Sequence, residues 1–342
     1  MHRRAIILVL ALALAACGGP SGTVTTATGG TAVLDCTGHK TAAKTPPKRV
    51  VALTTSVLEM LFWLGVGDRV VGIGTPPKPG TFPRQFDAAV QKLPKLAGPY
   101  KPGGYQPVPR EKLLAANPDF VVGGFSSNFD AAGATSQKEL DSAGIPSYLA
   151  LSTSCSKVTT TARTGLDLVY RDLDNLGKIF GITARADALK AGMKAKTDAV
   201  TGKLSGVSPL SVFPFEYDEG TQTPYAPGNR QAVNAVITLA GGKNIFADLD
   251  KAYQKVSWET VAQRNPSVIL LIVYDKGHPA ETDADFAAAE KFVRGFAPLA
   301  ATDAVRTGRF ARLVYEEGSN GGVRNADAVV SLAHQLHPRQ VA

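Results

Sequence analysis

Short apolar runs alternate with longer stretches of helical period along most of the chain. Runs at 50–53, 70–73, 120–122 and 147–149 in the first half, and at 211–215, 268–274 and 310–314 in the second, are strand-sized. Between them, apolar positions recur every three or four residues over 56–64, 109–116 and 137–143, then over 231–240, 258–265, 284–294 and 326–336. That period predicts helices with one buried face. Strand and helix alternating through both halves predicts α/β layers.

One periodic segment is longer. Leu166, Val169, Tyr170, Leu173, Leu176 and Phe180 form a single stripe, Arg171, Asp172, Asp174 and Lys178 occupy the opposite face, and Gly181 stands as a stop. A helix over 160–180, at 1.5 Å per residue, makes a rod of about 30 Å, enough to join two lobes as a stiff spine. The pattern therefore divides the chain into an N-terminal α/β lobe at 46–158, a bridging helix at 159–181 and a C-terminal α/β lobe at 182–340.

The N-terminus breaks this pattern. Arg3 and Arg4 precede an unbroken apolar run over 5–16, which falls short of the roughly 20 residues a membrane-spanning helix needs. It reads as a signal peptide over 1–16. Leu14-Ala15-Ala16-Cys17 resembles the lipobox of bacterial lipoproteins, so Cys17 is the expected site of lipidation. A Gly-, Ser- and Thr-rich stretch follows, which makes 17–45 a flexible tether and the start of the fold. The expected location is extracytoplasmic, anchored to the cell membrane through Cys17, since two acyl chains hold where one does not.

Composition adds little beyond this. The net charge of +8 falls to about +6 once Arg3 and Arg4 leave with the signal, and a mild positive excess fits an anionic solute. The basic residues are scattered without aromatic interleaving, which argues against nucleic acid as a partner. With Cys17 used by lipid, Cys36 and Cys155 remain as an even pair outside the cytoplasm, which predicts a disulfide. The mature chain's histidines, His39, His278, His334 and His337, do not converge as ligands for a bare metal ion. No nucleophile elbow, zinc-protease motif or phosphate loop is present, and Glu316 and Glu317, read as extended like the 310–314 run just before them, face opposite ways. The chain is not read as an enzyme, and no cofactor of its own is expected.

An internal repeat carries more information. Residues 110–122 run Arg-Glu-Lys-Leu-Leu-Ala-Ala-Asn-Pro-Asp-Phe-Val-Val, and 258–270 run Trp-Glu-Thr-Val-Ala-Gln-Arg-Asn-Pro-Ser-Val-Ile-Leu. Each is a short amphipathic helix, an Asn-Pro stop and an apolar strand; proline both ends the helix and pushes its predecessor out of the α region. Glu111 and Glu259 stand at matching positions in the first turn of each helix. The helix dipole alone favours a carboxylate there, but the repetition predicts two lobes of matched topology, each projecting one acid from the same place.

From about Lys48 onward the chain resembles the substrate-binding proteins of ABC importers for iron siderophores, haem and cobalamin. The likeness rests on Thr54-Thr55-Ser56-Val57-Leu58-Glu59-Met60-Leu61, on Leu64-Gly65-Val66-Gly67-Asp68-Arg69-Val70-Val71-Gly72, on both Asn-Pro units, and on Leu239-Ala240-Gly241-Gly242-Lys243-Asn244-Ile245-Phe246. It implies a class III periplasmic-binding-protein fold: two Rossmann-like α/β lobes bridged by one long α-helix. It also implies that Glu111 and Glu259 dock onto arginines of a permease dimer, and that the protein works as a monomer delivering a small-molecule chelate or cofactor-like solute.

The same resemblance puts the solute between the lobes, where strand ends and loops converge. In the first half the candidates are Thr54, Thr55, Thr75, Tyr105, Phe125, Ser126 and Asn128. In the second they are Glu216, Tyr217, Tyr225, Asn229, Tyr253, Tyr274 and Arg324. Tyrosines offer flat surfaces with one polar tip, and an arginine forks onto a carboxylate or phosphate. A ferric siderophore or related metal chelate is the leading expectation, with cobalamin, haem or a deazaflavin-cofactor precursor as alternatives.

Overall fold

A computed structural model describes residues 32–98, 106–155 and 161–342. Cys17, Tyr105, the signal and tether residues before 32, and the first residue of the predicted 160–180 helix lie outside the described residues.

The strands are β1 (Val33–Leu34), β2 (Lys40–Thr41), β3 (Val50–Ala52), β4 (Val70–Ile73), β5 (Phe120–Gly123) and β6 (Ser147–Leu149), then β7 (Leu210–Glu216), β8 (Tyr225–Pro227), β9 (Gly242–Asn244), β10 (Tyr253–Lys255), β11 (Val268–Val273) and β12 (Phe310–Val314). Two four-stranded sheets dominate, ordered β4-β3-β5-β6 and β12-β11-β7-β9, and every pairing within them is parallel. Counted in chain order within its own lobe, leaving out the β1–β2 and β8–β10 ribbons, each sheet runs second, first, third, fourth strand. The matched topology read from the sequence is therefore real. Two antiparallel ribbons, β1–β2 and β8–β10, decorate the frame.

Alternation along the strands places a core on each face of each sheet. Val50, Ala52, Phe120 and Val122 enter one cluster, and Val51, Leu53, Val121 and Leu149 enter another on the opposite face. In the second sheet Val212, Leu270, Ile272 and Leu313 face one way, while Phe213, Phe215, Ile269 and Leu271 face the other. All six residues of β11 are buried, as a parallel strand covered on both faces requires. Each such side chain contributes about 1.5–3 kcal/mol.

The Asn-Pro units behave alike in three dimensions. Among the described residues Asn117 and Asn265 are the non-glycine residues with positive φ, at 48° and 39°. Asparagine tolerates the left-handed region better than most residues, and each ends its helix, Arg110–Ala115 or Trp258–Gln263, before the third strand of its lobe.

The connection between lobes differs in detail from the reading of the stripe. The helix runs Asp167–Phe180, and the residues from 161 to 166 are not helical. Its apolar stripe, including Leu173, Leu176 and Phe180, belongs to the first lobe's core. Gly181, in the left-handed conformation, turns the chain into a second helix, Thr183–Lys203, 21 residues long. That helix passes from one core to the other: Ala186 and Met193 pack in the first lobe's cluster and Val200 in the second's. At the crossing, a Cβ on Gly177 would lie 2.7 Å from the Ala186 Cβ, so the glycine lets the two helices touch. Asp172, read as part of a solvent face, is fully buried instead. It accepts hydrogen bonds from the Tyr148 hydroxyl at 2.6 Å and from the Leu151 and Ser152 N–H groups at 2.7 and 2.8 Å.

Cys36 and Cys155 are joined, with Cα atoms 5.4 Å apart across 119 residues. The bond staples the β1–β2 ribbon to the end of the short helix Leu151–Ser154. Among the described residues no helix is long and apolar enough to cross a membrane.

Candidate functional site

The C-terminal ends of the strands in the two sheets meet across a cleft, the usual place for a ligand in a parallel α/β sheet. From the first lobe, β3 leads into Thr54 and Thr55, β4 into the loop from Thr75 to Thr81, and β5 into Phe125 and Ser126. From the second, β7 leads into Glu216 to Glu219, β11 into Tyr274 to Lys276, and β12 into Tyr315 to Glu317. A cavity of about 210 Å³ remains between them. Thr55, Thr75, Lys78 and Thr81 line it on one side, and Asp218, Tyr274, Asp275, Lys276 and Glu316 on the other.

The two walls differ chemically. The first lobe presents hydroxyls. Thr55 Oγ1 reaches the Thr75 carbonyl at 3.5 Å, and Thr81 donates to the Lys78 carbonyl at 2.9 Å. Thr54 precedes the helix Thr55–Trp63 without capping it; its Oγ1 lies 3.3 Å from Ser56 Oγ. The second lobe presents tyrosines and carboxylates. Tyr253 and Ser319 both donate to one oxygen of Glu216, at 3.0 and 3.1 Å. The Tyr225 ring stacks on Tyr253 with centroids 4.8 Å apart and 6° between planes. Tyr274 packs on Tyr315 at 4.5 Å and donates to Glu219 at 2.7 Å.

Burial sets the protonation of this wall. It pushes the Glu216 carboxyl up to about 8, against the pull of its two hydroxyl donors, with repulsion from Glu219 and Asp218 adding to the rise. Glu316 is pushed up to about 7, again mainly by burial, with Asp275 raising it further and the Asp275 N–H and Arg324 opposing. Burial likewise raises Tyr253 and Tyr274, which stay as neutral donors.

Not every residue expected at the ligand faces the cavity. Thr55, Thr75 and Tyr274 line it, and Glu216, Tyr225 and Tyr253 form the aromatic–acid cluster of the second lobe. Tyr217 packs into that lobe's core against Phe215, and Asn128 is buried in the short helix Ser127–Asp130, where its Oδ1 accepts the Gly124 and Phe125 N–H groups of the preceding turn at 2.9 Å. Phe125 and Ser126, at the same turn, are half-buried and absent from the cavity wall. Asn229 lines a separate depression of about 510 Å³ with Ala162, Thr164 and Thr238, and its carbonyl accepts the Arg163 N–H at 2.7 Å. Arg324 is already forked onto a carboxylate of the protein: its Nε and Nη2 reach Glu59 of the first lobe at 3.0 and 2.8 Å.

The sequence reading missed Asp218, Asp275 and Lys276. It placed Glu316 and Glu317 in a strand, whereas both sit on the helical turn Tyr315–Gly318. There Glu316 reaches the cavity, and Glu317 stands 3.5 Å from Arg324. The signal for these residues was positional: each follows the last apolar residue of a parallel strand.

Glu111 and Glu259 are exposed, each in the first turn of a helix that leads into the third strand of its lobe. A helix that returns the chain to a parallel strand runs opposite to it, so its N-terminus lies at the cleft edge of the sheet. Its own backbone N–H, then the Ser257 hydroxyl, hold the Glu259 carboxyl below the usual carboxylate range, so it is charged at neutral pH.

Comparison with known proteins agrees with this geometry. Residues 50–314 match the family model described as "Periplasmic binding protein". An ABC transporter substrate-binding lipoprotein of Bacillus subtilis, YvrC, is 26% identical over 275 residues, 78% of each chain. The crystal structure of a periplasmic binding protein from Veillonella parvula superposes with a TM-score of 0.75 at 25% identity, covering 89% of this chain and 96% of that one. An ABC-type Fe3+-hydroxamate transport protein from Saccharomonospora viridis superposes at 0.73 with 22% identity, over 90% and 99%. Two parallel sheets of one strand order, a helix shared between their cores, a cleft at their facing strand ends and a match over most of the length lead to one conclusion: the chain belongs to the periplasmic binding protein family.

Proposed function

We propose that the protein is the solute receptor of an ABC importer, held outside the cytoplasm by lipid on Cys17, and that its solute is a ferric siderophore or related metal chelate. One observation carries the reading. Two lobes of identical strand order expose one glutamate each, Glu111 and Glu259, at the same topological position beside a cleft. A matched pair of acids on a two-lobed body suits a two-fold permease dimer bearing basic residues, where charge fixes orientation more than it adds affinity. The B. subtilis relative is described as an ABC transporter lipoprotein, which supports both importer and anchor. Threonine hydroxyls on one wall and tyrosine faces on the other suit the oxygen-rich rim and flat surfaces of a chelate.

A cavity of about 210 Å³ is below the 300–1,000 Å³ of ordinary ligand sites, so loading requires the lobes to part. The protein acts as a monomer that captures solute, docks and releases it into the permease. Replacing both acids, Glu111→Lys with Glu259→Lys, is expected to abolish uptake by whole cells while the purified protein keeps its solute affinity. If affinity falls together with uptake, the docking role is wrong.

A further inference from the structure

The charge of the cleft runs against the charge of the chain. The whole sequence carries +8, yet the cavity wall holds three acids, Asp218, Asp275 and the partly protonated Glu316, against two ammonium groups, Lys78 and Lys276. Lys276 is already taken, by Asp218 at 2.8 Å and by Asp285 at 2.7 Å. Behind this wall stand further acids, Glu216 and Glu219, one bound by Tyr253 and Ser319 and the other by Tyr274. The Arg324 guanidinium, which acts on the Glu316 carboxyl, is committed to Glu59 and Glu317. The other buried guanidinium on the inter-lobe connection, Arg163, turns Nη1 and Nη2 onto the Ser152 and Leu151 carbonyls and does not line the cavity.

From this arrangement we infer that the solute is cationic or neutral, and that it turns a positive group or hydrogen-bond donors toward the second lobe; anionic chelates are the poor ligands of this site. The inference rests on the receptor reading above and adds the charge class of the solute. Its physical basis is that a carboxylate buried beside a like charge is destabilised, while a cation brought into the same low-dielectric space offsets the repulsion. Burial first, and then the neighbouring acids, already drive Glu316 and Glu216 toward their protonated forms. An anion entering the cleft meets that repulsion at the second-lobe wall, where Lys276 is already paired, and the remaining ammonium of the lining, Lys78, is exposed on the opposite wall. The threonines of the first lobe supply donors and acceptors without charge, so they do not alter this preference.

The test uses one ferric trihydroxamate scaffold whose terminal amine is left free, acetylated or succinylated. These forms are cationic, neutral and anionic at neutral pH, with the chelate unchanged. Titrated into the full mature chain, affinity is expected to fall about tenfold for each step toward negative charge. Asp275→Asn and Glu316→Gln are expected to flatten the series. A flat or reversed series in the wild type overturns the inference. In parallel, protein purified from its own membranes is denatured, and the released solute is run by electrophoresis at neutral pH. A cationic or neutral solute supports the assignment, and an anionic one overturns it even where none of the three probes binds. Should no probe bind and no solute be released, the receptor reading itself falls.

Discussion

The two lobes share a frame and differ in what they hang on it. Strand order, parallel pairing, the left-handed asparagine before the third strand and the exposed glutamate all repeat. The attachments do not. The first lobe carries the disulfide and a cleft wall of hydroxyls; the second carries the β8–β10 ribbon, four tyrosines around Glu216, and the carboxylates. The lesson is a division of labour. On the proposed reading, what repeats serves an encounter with a symmetric partner, and what differs meets an asymmetric solute.

The comparison is broken most severely at the joint between lobes. Arg324 of the second lobe and Glu59 of the first are 14% and 7% exposed, and Trp63 donates to the same carboxylate at 3.2 Å. Glu59→Ala strands a buried guanidinium, and the expected loss is about 3–5 kcal/mol in urea unfolding. Replacing both partners with methionine is expected to cost far less, since no buried guanidinium is then left and Glu317, which also faces Arg324, is partly exposed. A loss below about 1 kcal/mol for the single change would show the pair to be no more than a surface bridge.

The next effect belongs to the first lobe alone. Cys36→Ser with Cys155→Ser is expected to cost about 2–4 kcal/mol. Hydrogen exchange is expected to accelerate in β1, β2 and β6 while β7, β11 and β12 keep their protection. Loss of protection in both sheets together would mean that the lobes do not fold as separable units.

The smallest effect belongs to the second lobe and depends on pH. The Glu216 carboxyl is held at about 8 in the folded protein against an ordinary value of 4.5. The folded state therefore binds a proton that the unfolded state has lost between those values. Stability from this group is complete below about 4.5 and drains away as pH rises toward 8. Glu216→Gln removes the titration, so its stability curve is expected to be flatter than the wild type's by about 1–3 kcal/mol between pH 5.5 and 8.5. Parallel curves would remove Glu216 as a buried acid.

Much of this frame was legible in the sequence because parallel strands buried on both faces are short, apolar and bounded by turns. Strands β3 to β7, β11 and β12 announced themselves in that way, and the Asn-Pro units announced the repeat; β9, a Gly-Lys-Asn edge strand, carried no such signal. The helix Thr183–Lys203 did not, because its buried positions are Ala186, Met193, Thr197 and Val200, too small and polar to draw a stripe. Its alanine- and lysine-rich composition was the available signal, one of propensity and not of pattern. The ribbon of Tyr225–Pro227 and Tyr253–Lys255 was hidden because three-residue strands at a surface have no apolar alternation to show. Asp172 and Arg324 misled for another reason. A charged residue on a helix is read as solvent-facing or ligand-facing until its partner is seen, and the partners, Tyr148 and Glu59, lie 24 and 265 residues away. The site as a whole was legible as a place, at the ends of strands, and much less so as a set of side chains.

One contact at the rim of the cleft bears on how fast such a protein can work. Gly80 of the first lobe and Gly277 of the second both have positive φ, +83° and +84°, and a Cβ built on either one collides with the other lobe's main chain, at Gly277 or at Pro79. Backbone rests directly on backbone there, with no side chain between. Such an edge has no rotamer by which to yield, so a passing molecule is not admitted by a swinging residue. Entry and exit then keep the rhythm of whole-lobe separation, and residence time becomes a property of the hinge more than of the grip.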